Sequence, residues 1–332
     1  MLKVAILVTD RCQASSIHTL LDVFIAANYV AKTFMGLQKS PFNLQLVGLK
    51  KKATAYNQSA IDNVQSIQQA AQPDVLIIPG AFEATIDKES AQKFLEQYVN
   101  INLSLNAWHQ KGVLLASACT GNFLLANSGL VKGRALTCHW ASSLLAHTLF
   151  PHEAFQSHQL IIDHGDIISV GGASAIAQLA LYLIAREHSR ELALMTAKMM
   201  LIELNFEEQS RFAIFKPNLS HSDNVVLTLQ EKLEQEFACP LDLKQFSSEQ
   251  ALSEKQIVRR FKKETNETPL SYLQKIRVEK AKLSLEAGTQ SLSQIIWGVG
   301  YEDVTSFRRL FKRMTGLTMQ EYRDRFSMKM AL

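Results

Sequence analysis

The sequence predicts two architectures in tandem: a doubly wound α/β domain, then an all-α domain with two helix-turn-helix units. Three observations carry this. Through about residue 185, short β-rich runs alternate with helical stretches, the pattern of a parallel sheet covered by helices on both faces. After about residue 186 the β signal stops. The helical part also contains a weak internal repeat, LSEKQIVRRFKKETNETPLSYL (252–273) against YEDVTSFRRLFKRMTGLTMQEY (301–322). Each copy follows a short helical stretch and leads with a basic helix, so the arrangement helix, turn, basic helix occurs twice. A length of 332 residues suits two domains.

The elements follow in order. KVAILVT (3–9) reads as a strand and IHTLLDVFIAANYVA (17–31) as a helix. FNLQLVGL (42–49) alternates like a strand, and DVLIIPG (74–80) is a continuous apolar strand ending in Pro-Gly. SAQKFLEQYVNINLSLNAWHQ (90–110) is helical. GVLLASAC (112–119) runs from strand into turn, and GNFLLANSGL (121–130) is a helix stopped near Gly129. ALTCH gives a further strand, HQLIIDHGDIISVGG a hairpin-like pair, and SAIAQLALYLIAREHS and RELALMTAKMMLIEL two helices. Residues 205–224, with Pro217 and clustered Ser and Asn, read as a linker between residues 1–204 and 225–332. Beyond Val225 the helix starts are well marked. Ser253 with Gln256, Ser291 with Gln294 and Thr318 with Glu321 fit capping boxes, and Thr268 precedes Pro269 at a first helical position.

Composition narrows the class. Apolar residues make up 47% and charged residues 20%, enough for sizeable cores and against wholesale disorder. The start MLKVAILVTD reads as a first strand rather than a signal peptide. No run approaches ~20 apolar residues, so no membrane partner is expected. Cys12, Cys119, Cys138 and Cys239 are scattered without paired spacing, which fits a reduced, cytoplasmic protein. The net charge of +4 is unevenly placed: residues 252–329 carry 16 Lys+Arg against 9 Asp+Glu, leaving 19 against 22 elsewhere. A basic tail on a mildly acidic body points to double-stranded DNA as a partner.

The repeat gives this partner specific residues. Ile257 and Phe261 fall on one helical face in the first unit, with Lys255, Gln256, Arg259 and Lys263 largely off it. In the second unit Phe307 and Phe311 are the core side, leaving Val304, Thr305, Arg308, Arg309 and Lys312 for another surface. A recognition helix needs an apolar stripe to seat it and exposed Arg, Lys, Gln or Thr to reach bases and phosphates. Two such helices suit successive major-groove segments about 34 Å apart. The stretch PLSYLQKIRVEKAKLSLEAG (269–288) is long enough to hold them at a fixed distance. The run from Phe246 to Tyr322 resembles the DNA-binding domain of the AraC/XylS transcription regulators, most diagnostically in Gly300-Tyr301, Phe307, Phe311, Lys312, Gly316 and Tyr322-Arg323. LTMQEYR stands where that family usually has a proline after the glycine-containing turn. The resemblance implies sequence-specific DNA binding and transcription control, with RNA polymerase as a further candidate partner.

In the first domain, SACTGNF (117–123) is how a chain places a cysteine at a sharp strand-to-helix turn. Chemistry there needs Cys119 as nucleophile with the helix N-terminus lowering its pKa, His139 as base, and backbone N–H groups near Gly80 and Thr120 as an oxyanion hole. DVLIIPG, ASACTGNFLLANSGLVKGRALTCHW and GGASAIAQLALYLI resemble the PfpI-like branch of the class I glutamine amidotransferase-like superfamily, whose fold is flavodoxin-like. The combination with an AraC-type domain resembles the GlxA-type regulators and covers nearly all of the chain. In enzymes of the superfamily a carboxylate from near the first strand contacts the cysteine. Matching ILVTDRCQASSIHTLLDVF puts that position at Ser16, with Asp10 and Asp22 nearby but not in the matched place. Losing the acid weakens any proton-transfer route.

The reading is therefore a cytoplasmic, DNA-binding transcription regulator that is not an enzyme. A small-molecule effector would sit near Ser16, Gly80, Cys119, Thr120 and His139, at the crevice beyond the strand ends. Cys119 and His139 would be vestigial catalytic residues. The resemblance also implies a homodimer. The alternative is a cysteine-dependent hydrolase or hydratase with a DNA-binding tail. No cofactor is expected, and no metal: Cys138 beside His139, and His147, His152, His158 and His164, match no compact ligand spacing.

Overall fold

A computed structural model describes residues 1–172, 175–204 and 208–327. The chain separates into two compact units, Met1–Gln209 and Ser210–Leu332.

The first unit runs β1 (Leu2–Val8), α1 (Ala14–Thr33), β2 (Phe42–Gly48), β3 (Ala53–Thr54), β4 (Ala60–Ile61), β5 (Val64–Ser66), β6 (Val75–Ile78), α2 (Lys88–Gln97), α3 (Val99–Gln110), β7 (Leu114–Ala118), α4 (Gly121–Asn127), α5 (Ser143–Leu149), β8 (Ile161–Asp163), β9 (Ile167–Val170), α6 (Ile176–Glu187) and α7 (Arg190–Met199). Seven strands form one sheet in the order β5-β2-β1-β6-β7-β9-β8, and β3 with β4 forms a small ribbon. All neighbours in the large sheet are parallel except β8 and β9, the antiparallel hairpin. Strands covered on both faces are predominantly apolar, and every residue of β6, β7 and β9 is buried, with Ser117 and Ser169 the polar exceptions. One core packs α1, α6 and α7 on one face of the sheet, and the other packs α2 to α5 on the opposite face. The chain leaves β1 for β2 on one side and later returns to β6 on the other. That reversal opens a crevice at the C-terminal strand ends, where such folds bind ligands.

Two expected elements differ. The helix of residues 90–110 is two helices, broken at Tyr98 (φ −103°, ψ 13°). Its buried ring packs on Phe94, and its hydroxyl accepts the Asp10 N–H at 2.7 Å, which draws the side chain toward the end of β1. ALTCH makes only an isolated bridge, Leu136 with Phe155. The ladder stops because the Thr137 N–H donates to Ser169 Oγ (3.1 Å) and its hydroxyl to the Gln159 carbonyl (2.5 Å).

The second unit contains α8 (Asn224–Gln235), α9 (Leu243–Glu249), α10 (Glu254–Thr265), α11 (Pro269–Ala287), α12 (Leu292–Gly298), α13 (Val304–Thr315) and α14 (Met319–Phe326). The capping boxes form at Ser253, Ser291 and Thr318, and Thr268 caps α11 with Pro269 in its first turn. There are two half-cores. Tyr272, Leu273 and Ile276 of α11 enter the first, with Ile257 and Phe261; Val278, Ala281 and Leu285 of α11 enter the second, with Phe307 and Phe311. Between them the buried Arg277 donates to the carbonyls of Phe237 (2.6 Å) and Cys239 (2.8 Å) and stacks on Tyr301 (5.2 Å). Of the expected linker, residues 205–207 lie outside the described residues. Residues 213–223 pack on helices: Phe215 donates its N–H to Glu279 (3.2 Å) and sets its ring edge-on to Tyr272 (5.0 Å). Asn218 donates to the Glu264 carbonyl (3.2 Å), and Asp223 caps α8 while holding Arg260 at 2.7 and 2.8 Å.

Two stability outcomes follow. Burial pushes the Asp166 carboxyl up, but hydrogen bonds from His109 (2.7 Å) and Arg134 (2.6 Å) outweigh it and bring it down to about 2. A depressed carboxylate stabilises fully above its unfolded value of 3.8, and that contribution is lost as pH falls through about 2. Because the side chain is 44% exposed, screening limits the effect, and Asp166→Asn should cost about 1 kcal/mol at neutral pH and flatten the acid limb of the urea-melt profile. In the second unit Gly300 has φ +80°, and a Cβ there would lie 2.6 Å from the Ala238 carbonyl carbon. Gly300→Ala should therefore destabilise this unit by at least about 2 kcal/mol, read from denaturant unfolding.

Candidate ligand and nucleic-acid sites

At the end of β7 the backbone turns left-handed at Cys119 (φ 56°), a conformation costly for a residue with a Cβ. Each following residue has a part in holding it. The Thr120 hydroxyl accepts the Ala81 N–H (2.9 Å) and donates to the Ala81 carbonyl (2.8 Å). Gly121 begins α4 so close to β6 that a Cβ would sit 2.9 Å from the Pro79 carbonyl oxygen. Asn122 accepts from Ser117 Oγ and donates to the Val170 carbonyl (3.0 Å). The turn is thus tied to β6 on one side and to β9 on the other.

Gly80, Cys119 and Thr120 are brought together: a Cβ at Gly80 would lie 3.0 Å from Cys119 Cβ and 3.1 Å from Thr120 Oγ1. Ser16 is buried in the first turn of α1, whose start reaches Gly80 through the Gln13 N–H (3.5 Å to the Gly80 carbonyl). Cys138 lies near Cys119, and burial and that neighbour push its thiol up to about 12; the contacts of His139, the next residue, are with Trp140 and Ala141 rather than with Gly80, Cys119 or Thr120. Three features bear on the chemistry of this turn. Cys119 is 8% exposed, and burial pushes its thiol up to about 11 against the opposing hydrogen bonds of Thr120, so it is protonated at neutral pH. Burial lowers the His139 pKa, and its Nδ1 accepts the Ala141 N–H (3.1 Å). The neutral ring therefore carries its proton on Nε2 and offers a donor there, not a base. The Ala81 N–H, next to Gly80, is taken by Thr120. Of the nearby acids, Asp10 holds Lys50 (2.5 Å) and the Thr54 N–H (3.3 Å), and Asp22 is exposed.

Sequence reasoning missed a cluster of loop side chains that follows β1, β3 and β6. Arg11, itself left-handed (φ 60°), stacks on the Tyr56 ring (4.7 Å) and lies 3.9 Å from Glu83, while Tyr56 and Phe82 pack at 4.4 Å. The only signal was TDRC directly after a strand, too short to assign a role.

In the second unit α9 with α10, and α12 with α13, form the two helix-turn-helix pairs. Ile257, Phe261, Phe307 and Phe311 are fully buried. Lys255, Gln256, Arg259 and Lys263 on α10 are exposed, as are Thr305, Arg308, Arg309 and Lys312 on α13. Three qualifications come from contacts. Val304 packs partly against the second half-core, Gln256 Oε1 is occupied by its capping box (2.9 Å to the Ser253 N–H), and Lys263 pairs with Glu264 (3.1 Å). Lys262 and Arg313 share the exposed basic faces and were not singled out, although both lie in the basic clusters of the repeat.

Comparisons agree with this geometry. The DJ-1/PfpI family profile matches residues 2–186, more than half of the chain, and a helix-turn-helix domain profile matches residues 246–325. Among curated relatives, the HTH-type transcriptional regulator GbdR of Pseudomonas aeruginosa is 26% identical over 225 residues, 66% of this chain. That alignment spans only 60% of GbdR. ArgR of the same species is 26% identical over 68% of each chain. GlxA of Rhizobium meliloti is 24% identical over 64% of this chain and 66% of its own. A solved AraC family transcriptional regulator from Pseudomonas putida is similar in fold, with TM-score 0.50 and 15% identity over 60% of this chain and all of that one. The left-handed cysteine turn on a doubly wound sheet and the match across most of the first unit have one conclusion: the chain belongs to the DJ-1/PfpI family, with a helix-turn-helix domain matched in its C-terminal part.

Proposed function

We propose that the protein is a sequence-specific transcription regulator. Residues 1–204 bind a small metabolite and residues 225–332 bind duplex DNA. The observation that carries the reading is the pair α10 and α13, each seated by a buried apolar stripe and exposing Arg, Lys, Gln or Thr on its outer face. The names of the relatives support it. The metabolite site is the crevice at Ser16, Gly80, Cys119, Thr120 and His139, with Arg11, Tyr56 and Phe82 at its rim. A homodimer acting on RNA polymerase in the cytoplasm completes the proposal. Among the described residues no helix is long and apolar enough to cross a membrane.

One observation favours the rival, a cysteine enzyme: the left-handed turn at Cys119. The buried thiol, the His139 tautomer and the serine in the acid's place weigh against it, and we read the first unit as a sensor derived from an enzyme. With Cys119 held near 11, alkylation by iodoacetamide should be slow at pH 7 and still rising above pH 9, whereas an activated thiol reacts fully well below the ordinary value of ~8.5. A plateau below pH 8 would establish the enzyme reading instead.

DNA reading is tested by selecting binding sites from random duplexes with the full chain, then titrating variants at two salt concentrations. Arg308→Ala and Arg309→Ala should each weaken binding, and at least one should lose about 5- to 150-fold at a definable base pair, the value of a bidentate arginine–guanine contact. Lys312→Ala should weaken all sequences alike and reduce the salt slope by about one unit. Equal losses across every sequence for both arginine variants would assign base reading to Lys255, Gln256 and Arg259 of α10.

A further inference from the structure

Gln209 is the last residue of the first unit, and in sequence it lies in polar, irregular chain. It is nonetheless only 4% exposed. Its carboxamide Nε2 donates to the Cys138 carbonyl (2.7 Å) and the Gln159 carbonyl (3.1 Å), with Thr137 Oγ1 at 3.3 Å. Its Oε1 accepts the Trp140 N–H (3.3 Å), and its backbone N–H donates to the His158 carbonyl (3.0 Å). The seat exists because Gly171, directly after β9, has no side chain: a Cβ there would lie 2.8 Å from the Gln209 carboxamide carbon.

The polarity of this cradle is specific. Carbonyl oxygens face one end of the side chain and an N–H faces the other, a pattern that accepts a carboxamide and rejects a carboxylate of the same shape. An oxygen in place of Nε2 would meet two carbonyl oxygens without a proton between them. The cradle also brackets His139, since Cys138 and Trp140 supply bonds on either side of it.

We propose that Thr137, Cys138, Trp140, Gln159 and Gly171 form a carboxamide-binding site whose ligand is the chain's own Gln209, and that its occupancy fixes the His139 loop. The proposal extends the regulator reading and rests on it for the consequence. A metabolite that engages His139 must alter the bonds made by Cys138 and Trp140, and so release or tighten Gln209, the residue at which the chain leaves the first unit. The linkage is reciprocal: whatever holds Gln209 in its seat also biases the metabolite site.

The test uses the full chain, with melting followed in the absence of DNA. Gln209→Glu, the same shape with an added charge, should melt at least about 2–4 °C below wild type and below Gln209→Ala. Excess propionamide, the glutamine side chain without its backbone, should raise the melting temperature of Gln209→Ala and leave wild type unchanged, while propionate raises neither. Gly171→Ala keeps Gln209 but fills its seat, and should speed tryptic cleavage between Lys198 and Lys216 several-fold. Wild-type melting by Gln209→Glu, equal shifts from propionamide and propionate, or unchanged cleavage in Gly171→Ala would each overturn the proposal. A wild-type chain that binds no duplex DNA would overturn the regulator reading alone, because the melting and cleavage measurements contain no DNA.

Discussion

The turn at Cys119 depends on two empty Cβ positions, at Gly80 and at Gly121. With a side chain at Gly121, α4 could not begin against the carbonyls of β6, and one at Gly80 would crowd Cys119 and Thr120 at the end of β7. A left-handed non-glycine residue costs of order 1–3 kcal/mol. The reciprocal Thr120–Ala81 pair and the Asn122 bonds to β7 and β9 offset that cost. These same contacts tie the central strands together at the edge where the crevice opens. The cysteine is therefore placed by backbone closure. Its position does not depend on whether its sulfur has chemistry to perform: closure of the backbone fixes the turn, while burial sets the thiol's pKa.

Much of this was legible in the sequence because it rests on patterns that short-range physics enforces. Continuous apolar runs marked the buried parallel strands, and the Ser253, Ser291 and Thr318 boxes marked helix starts that the structure reproduces. The apolar pairs Ile257/Phe261 and Phe307/Phe311 identified the seated faces of α10 and α13. What was not legible depends on partners distant in the chain. Nothing in the run through Tyr98 announces that its hydroxyl will meet Asp10 and split a helix. ALTCH looks like a strand until Ser169, 32 residues away, takes the Thr137 N–H. The Arg11–Tyr56–Phe82 cluster and the Gln209 seat are assembled from separate loops, and polar loop residues carry no periodicity from which to infer burial.

Charge in the second unit divides by burial in the same way. Arg277 and Lys282 are nearly inaccessible and serve the fold, the first through two carbonyls and an aromatic ring, the second through Ala213 and Glu279. Arg260 is held by Asp223. A count of basic residues therefore overstates the charge free to meet a polyanion; much of what remains lies on the exposed faces of α10 and α13, with Lys216 and Lys244 exposed elsewhere.

The sharing of α11 between both half-cores bears on what can be done with this unit. The repeat invites the picture of one module copied in tandem. Each half, however, is missing a wall without its stretch of α11, and Phe237 packs against both cores. The helix pairs repeat, but the two halves are built around a common beam. Neither can be excised, transplanted or exchanged with a foreign counterpart as a self-sufficient piece, and damage to one core propagates into the other through a single rigid member.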